Sequence, residues 1–258
     1  MADSDQFTFG GGARGDEARA PFALPGEVHP SVIVRDALSR VRPNGHVVVF
    51  ANEKGGVGKS TLAFHCAVAL SYAGHKVLTV DLDRRQRSLD SALEHREGTV
   101  RSLGVDVPLT RHVVLHKQTG SLLSQEIARA GSDSSVVIID VAGHDSAIAR
   151  YAISIADTLV TPVNSSSVDL ELLGDFDPVT GRLRGAGQFA KLVCELRQER
   201  EQRGGGTFDW VVMKNRVRTS ERRQQMRVNE ALRQLAPQFD FRLARGFRER
   251  VAYRELFA

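Results

Sequence analysis

From His46 onward, short apolar runs alternate with amphipathic stretches. "HVVVFA", "KVLTVDLD", "SSVVIIDVAG", "DTLVTPV" and "FDWVVMKN" are continuous enough to be strands buried on both faces, and "HVVLHK" reads as a weaker one. Between them, "STLAFHCAVALSYAG" reads as a helix with apolar positions Leu62, Cys66, Ala69 and Leu70, and Gly74 is placed to stop it in a left-handed cap. "SLDSALEHR", "GSLLSQEIARAG", "DSAIARYAISIA", "VDLELLG" and "QFAKLVCELRQERE" are further helices. "SERRQQMRVNEALRQLA" is another, with Ser220 as its cap, before "FRLAR" and "FRERVAYRELF". Residues 175–187 hold Pro178 and three glycines and read as an exposed loop. This alternation predicts an α/β fold, a doubly wound, mostly parallel sheet flanked by helices, with the second strand beside the first.

The first strand runs directly into "KGGVGKST", at the start of a helix. Gly55, Gly56, Val57 and Gly58 let the backbone wrap an anion, and the helix start turns its N–H groups and dipole toward it. Lys59 neutralises β- and γ-phosphates. Ser60, with Thr61 behind it, offers a hydroxyl to Mg²⁺. The ordinary phosphate loop has a glycine where this chain has Glu53, and it has no second lysine. Lys54 either folds back onto its own site or reaches a phosphate held by a facing copy, as an arginine finger does. Asp81 and Asp83 end the second strand, at the carboxyl edge where ligands of such sheets bind. They are expected to orient Mg²⁺ (Asp81) and the attacking water (Asp83). Asp140 ends "VVIID" and fits a Mg²⁺-linked acid, and Gly143 beside it lets a switch loop move.

Composition narrows the class. The chain has 258 residues with 41% hydrophobic content, ample for a core, and no run near the roughly 20 apolar residues of a membrane span. Residues 1–30 are Gly-, Ala- and acid-rich and are expected to be a flexible tail. Residues 31–44 form a short helix and linker, and 45–258 the phosphate-loop domain. The N-terminus does not read as a signal peptide. Two cysteines, Cys66 and Cys194, make a metal cluster improbable and fit reduced side chains in a cytoplasmic protein. Net charge is +4, concentrated at one end: residues 211–258 hold 12 Lys/Arg against five acids. Arg222, Arg223 and Arg227 lie off the apolar stripe of Val228, Leu232 and Leu235. With Arg218 and Arg248 they form either a phosphate-binding face or a solvated one.

"KGGVGKST", "VDLD" and "IID" together resemble the ParA/MinD superfamily of dimerising ATPases with a deviant Walker A motif. "NEKGGVGKST", "DLDRRQRS", "DPVT", "DWVVMKNR" and "RERVAYRELF" narrow the resemblance to the MipZ family of division-plane positioning ATPases, from about Gly45 to Phe257. The resemblance implies ATP and Mg²⁺, a lysine (Lys54) that crosses to the partner's ATP, and adenine-side residues Asn215 and Arg216. It also implies an ATP-dependent homodimer, slow hydrolysis, and non-specific DNA binding through positions matching Arg223, Arg227 and Arg248. The implied partners are ParB and FtsZ, whose assembly such proteins inhibit. The implied location is the cytoplasm, on the nucleoid and off the membrane. One departure stands out: the family usually has D-T-P-G after the Walker B strand, and this chain has "DVAG". Val141 and Ala142 thus lack a hydroxyl and a rigid proline, which bears on hydrolysis and switching. The alternatives are a ParA-type plasmid or chromosome partition ATPase and, from another class, an ATP-dependent ligase of the dethiobiotin-synthetase type.

Overall fold

The computed structural model describes residues 28–164, 166–177, 179–217 and 222–249. Seven strands form one parallel sheet: β1 (His46–Phe50), β2 (Val77–Asp81), β3 (Arg111–Val114), β4 (Val136–Asp140), β5 (Thr158–Val163), β8 (Asp209–Lys214) and β9 (Arg242–Ala244). β6 (Gly174–Phe176) and β7 (Leu183–Ala186) make a separate antiparallel pair. Every residue of β2 and β4 is buried, as the unbroken apolar runs require.

The sheet order is β3-β2-β4-β1-β5-β8-β9. This corrects the expectation that the second strand lies beside the first, because β4 stands between them. The βαβ crossover leaves room for one strand, and β4 takes it, paired on one side with β1 and on the other with β2. The register sets Phe50 beside Asp140 and Asp81 on its other side. Asp140 is therefore flanked by both carboxyl-edge loops.

Helices α2 (Lys59–Tyr72) and α3 (Ser88–Leu103) cover one face, packing Leu62, Ala67 and Leu89 on Phe50, Ile138 and Val160. The α2 face is turned from the expected one. Ala63, Ala67 and Ser71 are buried, and Ala69 is exposed. These small residues at helical spacing let the helix lie close to the sheet. Gly74 (φ 86) ends α2 as expected, and His75 N–H donates to the Leu70 carbonyl at 3.0 Å. α3 is 16 residues long, well past the short helix the pattern suggested.

The other face carries α4 (Gly120–Ala130), α5 (Ala147–Ile155), α7 (Gln188–Gln202) and α8 (Arg222–Phe239). Val228, Leu232 and Leu235 of α8 are buried, as their spacing predicted. The expected cap Ser220 lies outside the described residues. Outside this layer, α1 (Pro30–Leu38) lies on α5 and α7 and buries Ile33, Val34 and Ala37. Arg150 of α5 donates to the Val28 carbonyl at 3.2 Å, fixing the entry to α1.

Residues 175–187 are also a correction, since β6 and β7 occupy much of that stretch. Asp177 N–H donates to the Arg182 carbonyl at 2.8 Å. The Asp177 carboxylate accepts from Val179 N–H (2.9 Å) and Thr180 N–H (2.7 Å). These bonds and Gly181 at φ 67 close the turn. Strands of three and four residues lack the apolar run that would mark them in a sequence. Among the described residues no helix is long and apolar enough to cross a membrane.

Candidate functional site

The carboxyl edge of the sheet opens into a cavity of about 690 Å³. Its floor is the loop between β1 and α2: Gly55, Gly56, Gly58, Lys59, Ser60 and Thr61. One wall is the loop after β4, from Asp140 through His144. Another is the turn after β2, from Asp83 to Gln86, with Gln118 beside it. Arg216, after β8, closes the far end.

The loop is held by side chains from distant strands. Asn52 donates to the Pro162 carbonyl of β5 at 2.8 Å and accepts from Lys54 N–H at 2.9 Å. Asn215 donates Nδ2–H to the Val57 carbonyl at 2.8 Å. Gly58 is left-handed at φ 91, and a Cβ there would meet Asn215 Nδ2 at 2.1 Å, so only glycine fits. Gly58 also starts α2 without a side-chain cap. The first N–H groups of that 14-residue helix therefore face the cavity, a seat for an anion.

The two lysines diverge. Lys59 is 7% exposed, and its Nζ donates to the Lys54 carbonyl at 2.9 Å. Burial lowers its pKa, opposed by the charges of Asp140 and Asp83. Lys54 is not among the residues that line the cavity. Its Nζ lies 2.5 Å from Asp169 Oδ1 of α6 (Ser167–Glu171) and 3.5 Å from Ser166 Oγ.

The carboxylates also take different places. Asp140 lines the cavity, and its buried Oδ1 has no hydrogen-bond partner. Burial, then the neighbouring Asp81 charge, pushes its pKa up to about 8, while Ser60 hydrogen-bonds to it and lowers it. An orphaned buried carboxylate oxygen beside a serine hydroxyl fits a Mg²⁺ ion that takes its other ligands from phosphate and water. Among the described residues no cluster of three or more His, Cys, Asp or Glu side chains could cage a metal alone. Asp81 stands one strand further, 1% exposed, off the cavity wall. Its Oδ1 accepts from Asp83 N–H (2.8 Å), and its Oδ2 from Leu89 (3.1 Å) and Asp90 (3.3 Å) N–H, at the start of α3. Burial raises its pKa to about 6. Asp83 lines the cavity, and its Oδ1 accepts from Arg85 and Gln86 N–H.

Gly143 brings the loop after β4 against the phosphate loop. A Cβ on it would lie 2.9 Å from both Cα and N of Gly55. Val141 and Ala142, buried beside it, line the same cavity. Of the arginine face, Arg227 and Arg248 are exposed. Arg218 and the side chains of Arg222 and Arg223 lie outside the described residues. Arg84, Arg85, Gln86, Gln118 and His144 line the cavity without having been singled out in the sequence. The "DRRQ" run directly after the strand-end acid was the signal available.

The sequence profile described as ATPase MipZ matches residues 46–258. The maintenance of carboxysome distribution protein A of Gloeobacter kilaueensis is 35% identical over 127 residues, 49% of this chain and 53% of that protein. Protein ParA of Rhizobium radiobacter is 32% identical over 123 residues, 48% of this chain and 50% of that one. The chain spans about half the length of these curated relatives. Among solved structures, apo McdA of Cyanothece aligns at a TM-score of 0.57 and 20% identity, over 82% of this chain and 89% of that one. A Cyanothece McdA variant in complex with ATP aligns at 0.53 and 19%, over 83% and 86%. Those two likenesses are of fold. The profile, spanning the sheet and its glycine loop, establishes that the chain belongs to the MipZ family of ParA/MinD-type ATPases.

Proposed function

We propose that this chain is an ATP- and Mg²⁺-dependent switch whose active site is completed by a second copy, and that it positions the division plane. The observation that carries the reading is the divergence of the two lysines. Lys59 lies in its own cavity, while Lys54 points out of it toward α6. A cation carried on the phosphate loop but aimed elsewhere is suited to a phosphate held by a facing copy.

The glycine-loop N–H groups and Lys59 hold the phosphates. Ser60 and Asp140 hold Mg²⁺, which when bound offsets charge on the transferring phosphoryl oxygens. Asp83 stands at the cavity wall where it can orient a water. The Gly143 loop, packed on Gly55, senses the terminal phosphate. Pairing requires Lys54 to leave Asp169. Asp169 has no exposed side-chain surface, so losing its cation costs free energy that ATP must offset. The pair thus biases the chain toward the single copy.

In the paired state, exposed arginines of α8 and of the segment after β9, Arg227 and Arg248 among them, would add to one phosphate-binding surface. DNA affinity then rises with ATP. ParB and FtsZ are the protein partners that the family reading supplies, and the nucleoid is the site of action. Sizing the full chain with ATP, ADP and no nucleotide, then measuring DNA retention on the same samples, tests this. A chain that binds ATP but stays single under a non-hydrolysable analogue overturns the switch. The name of one curated relative, a carboxysome distribution protein, favours a second reading beside the ParA-type partition alternative, distribution of a cargo. FtsZ assembly that proceeds unchanged with this chain and ATP would favour it.

A further inference from the structure

Two cations in the cavity have no part in the scheme above. Arg84 and Arg85, on the turn between β2 and α3, both line the cavity and are exposed. Among the described residues neither guanidinium makes an ion pair or hydrogen bond. Arg87, two residues on, behaves differently. It is left-handed at φ 47, and its guanidinium is tied back to Asp90 and Glu94 of α3.

The turn that carries the two free arginines is built firmly. Asp83 Oδ1 accepts from Arg85 N–H at 3.1 Å and Gln86 N–H at 3.0 Å, and Arg87 N–H donates to the Asp83 carbonyl at 2.8 Å. At its root, Leu82 N–H donates to the Asp140 carbonyl at 2.9 Å, and Gln118 donates to the Leu82 carbonyl. Both guanidiniums therefore hang from a fixed backbone at the cavity rim.

The strand order gives the cavity a direction. Arg216 follows β8, the glycine loop follows β1, the Gly143 loop follows β4, and the arginine turn follows β2. Strands lie about 4.8 Å apart, so the arginine turn stands about 10 Å from β1, on the side away from Arg216. A nucleotide with its phosphates on α2 and its base toward Arg216 sends its terminal phosphate toward β4 and β2.

We infer that Arg84 and Arg85 are ligands of the terminal phosphate, in the same chain, and give the cavity its preference for a nucleoside triphosphate over a diphosphate. The inference rests on the ATP reading above. A guanidinium matches phosphate oxygens in pairs and stays charged at any working pH. A diphosphate would leave both arginines in solvent, as they stand here.

The test is equilibrium binding of a non-hydrolysable ATP analogue and of ADP, with Mg²⁺, to the full chain and to R84A/R85A. Loss of one or two charge-assisted hydrogen bonds lowers analogue affinity about 10- to 100-fold. ADP affinity stays within about twofold, since ADP lacks the group they hold. R84K/R85K keeps the charge and recovers part of the analogue affinity, which a purely structural role for the turn would not produce. Melting of R84A/R85A without ligand reports the fold separately. Equal losses for both nucleotides, or no loss for either, overturn the inference while the ATP reading stands. A wild-type chain that binds neither nucleotide overturns the ATP reading itself, and this inference with it.

Discussion

Lys54 Nζ and Asp169 Oδ1 are 2.5 Å apart, with 34% of the lysine side chain exposed and none of the aspartate's. The same carboxylate accepts from Asn164 N–H at 2.7 Å through Oδ2, so it is fixed independently of the lysine. Asp169→Asn keeps the shape and removes the charge that holds Lys54. It is expected to raise the dimer fraction at a given level of ATP analogue. Lys54→Ala is expected to bind nucleotide and remain single. Light scattering across a concentration series checks both, and a normal dimer from Lys54→Ala would reject the role across the interface.

Gly143 and Gly55 meet backbone to backbone, and a methyl group has no place between them. Gly143→Ala should force the two loops apart, at a cost of about 1–3 kcal/mol for overpacking. The expected result is weakened nucleotide binding with the sheet intact. Calorimetric titration against ATP analogue, with circular dichroism on the same sample, measures both.

Asn215 serves the loop as a brace from the end of β8. Asn215→Ala leaves the Val57 carbonyl without its partner, which should cost about 1–3 kcal/mol of stability. It also opens space beside Gly58. Urea unfolding of wild type and variant checks this, and an unchanged midpoint would show that the brace is idle.

The raised Asp140 carboxyl has a defined pH signature. The folded chain, free of metal and nucleotide, binds this proton more tightly than the unfolded chain does. Its stabilising contribution is complete below the unfolded carboxylate range near roughly pH 4. It is lost as pH rises toward the folded value of about 8. Melting temperature should therefore fall over that window, less steeply in Asp140→Asn. Mg²⁺ added near the upper end should restore part of the loss, and a melting temperature indifferent to both would refute the assignment.

Arg227 and Arg248 are exposed cations, suited to phosphates rather than to base edges. Arg227→Ala with Arg248→Ala should weaken DNA binding equally across sequences. It should reduce the slope of log affinity against log salt by about 2, near 0.9 for each phosphate no longer neutralised. Filter binding at several salt concentrations tests this, and an unaltered slope places the DNA face elsewhere.

Much of this site was readable from the chain, because its backbone parts are local. A buried strand, three glycines, a lysine and the start of a helix follow one another without a break, and Asp140 ends an apolar run that reads as a buried strand. What escaped depends on distant pairing. The place of β4 between β1 and β2 is decided by competition among equally apolar strands, which local pattern does not rank. The partner of Lys54 lies far along the chain, on the five-residue helix α6. Asp81 looks like a metal ligand by position, yet its oxygens are taken by the N–H groups of Leu89 and Asp90 and of its near neighbour Asp83. Arg84 and Arg85 resemble any solvated basic pair until the cavity wall is seen.

Ile33, Val34 and Ala37 fill the furrow between α5 and α7, and α1 precedes the residues matched by the family profile. Trimming the polypeptide at His46 would bare an oily trough on the outer layer. Such a shortened protein would stick to itself whether or not nucleotide was present, imitating the association proposed for the ATP-bound chain. Assembly measurements are therefore meaningful only on chains that keep this first helix.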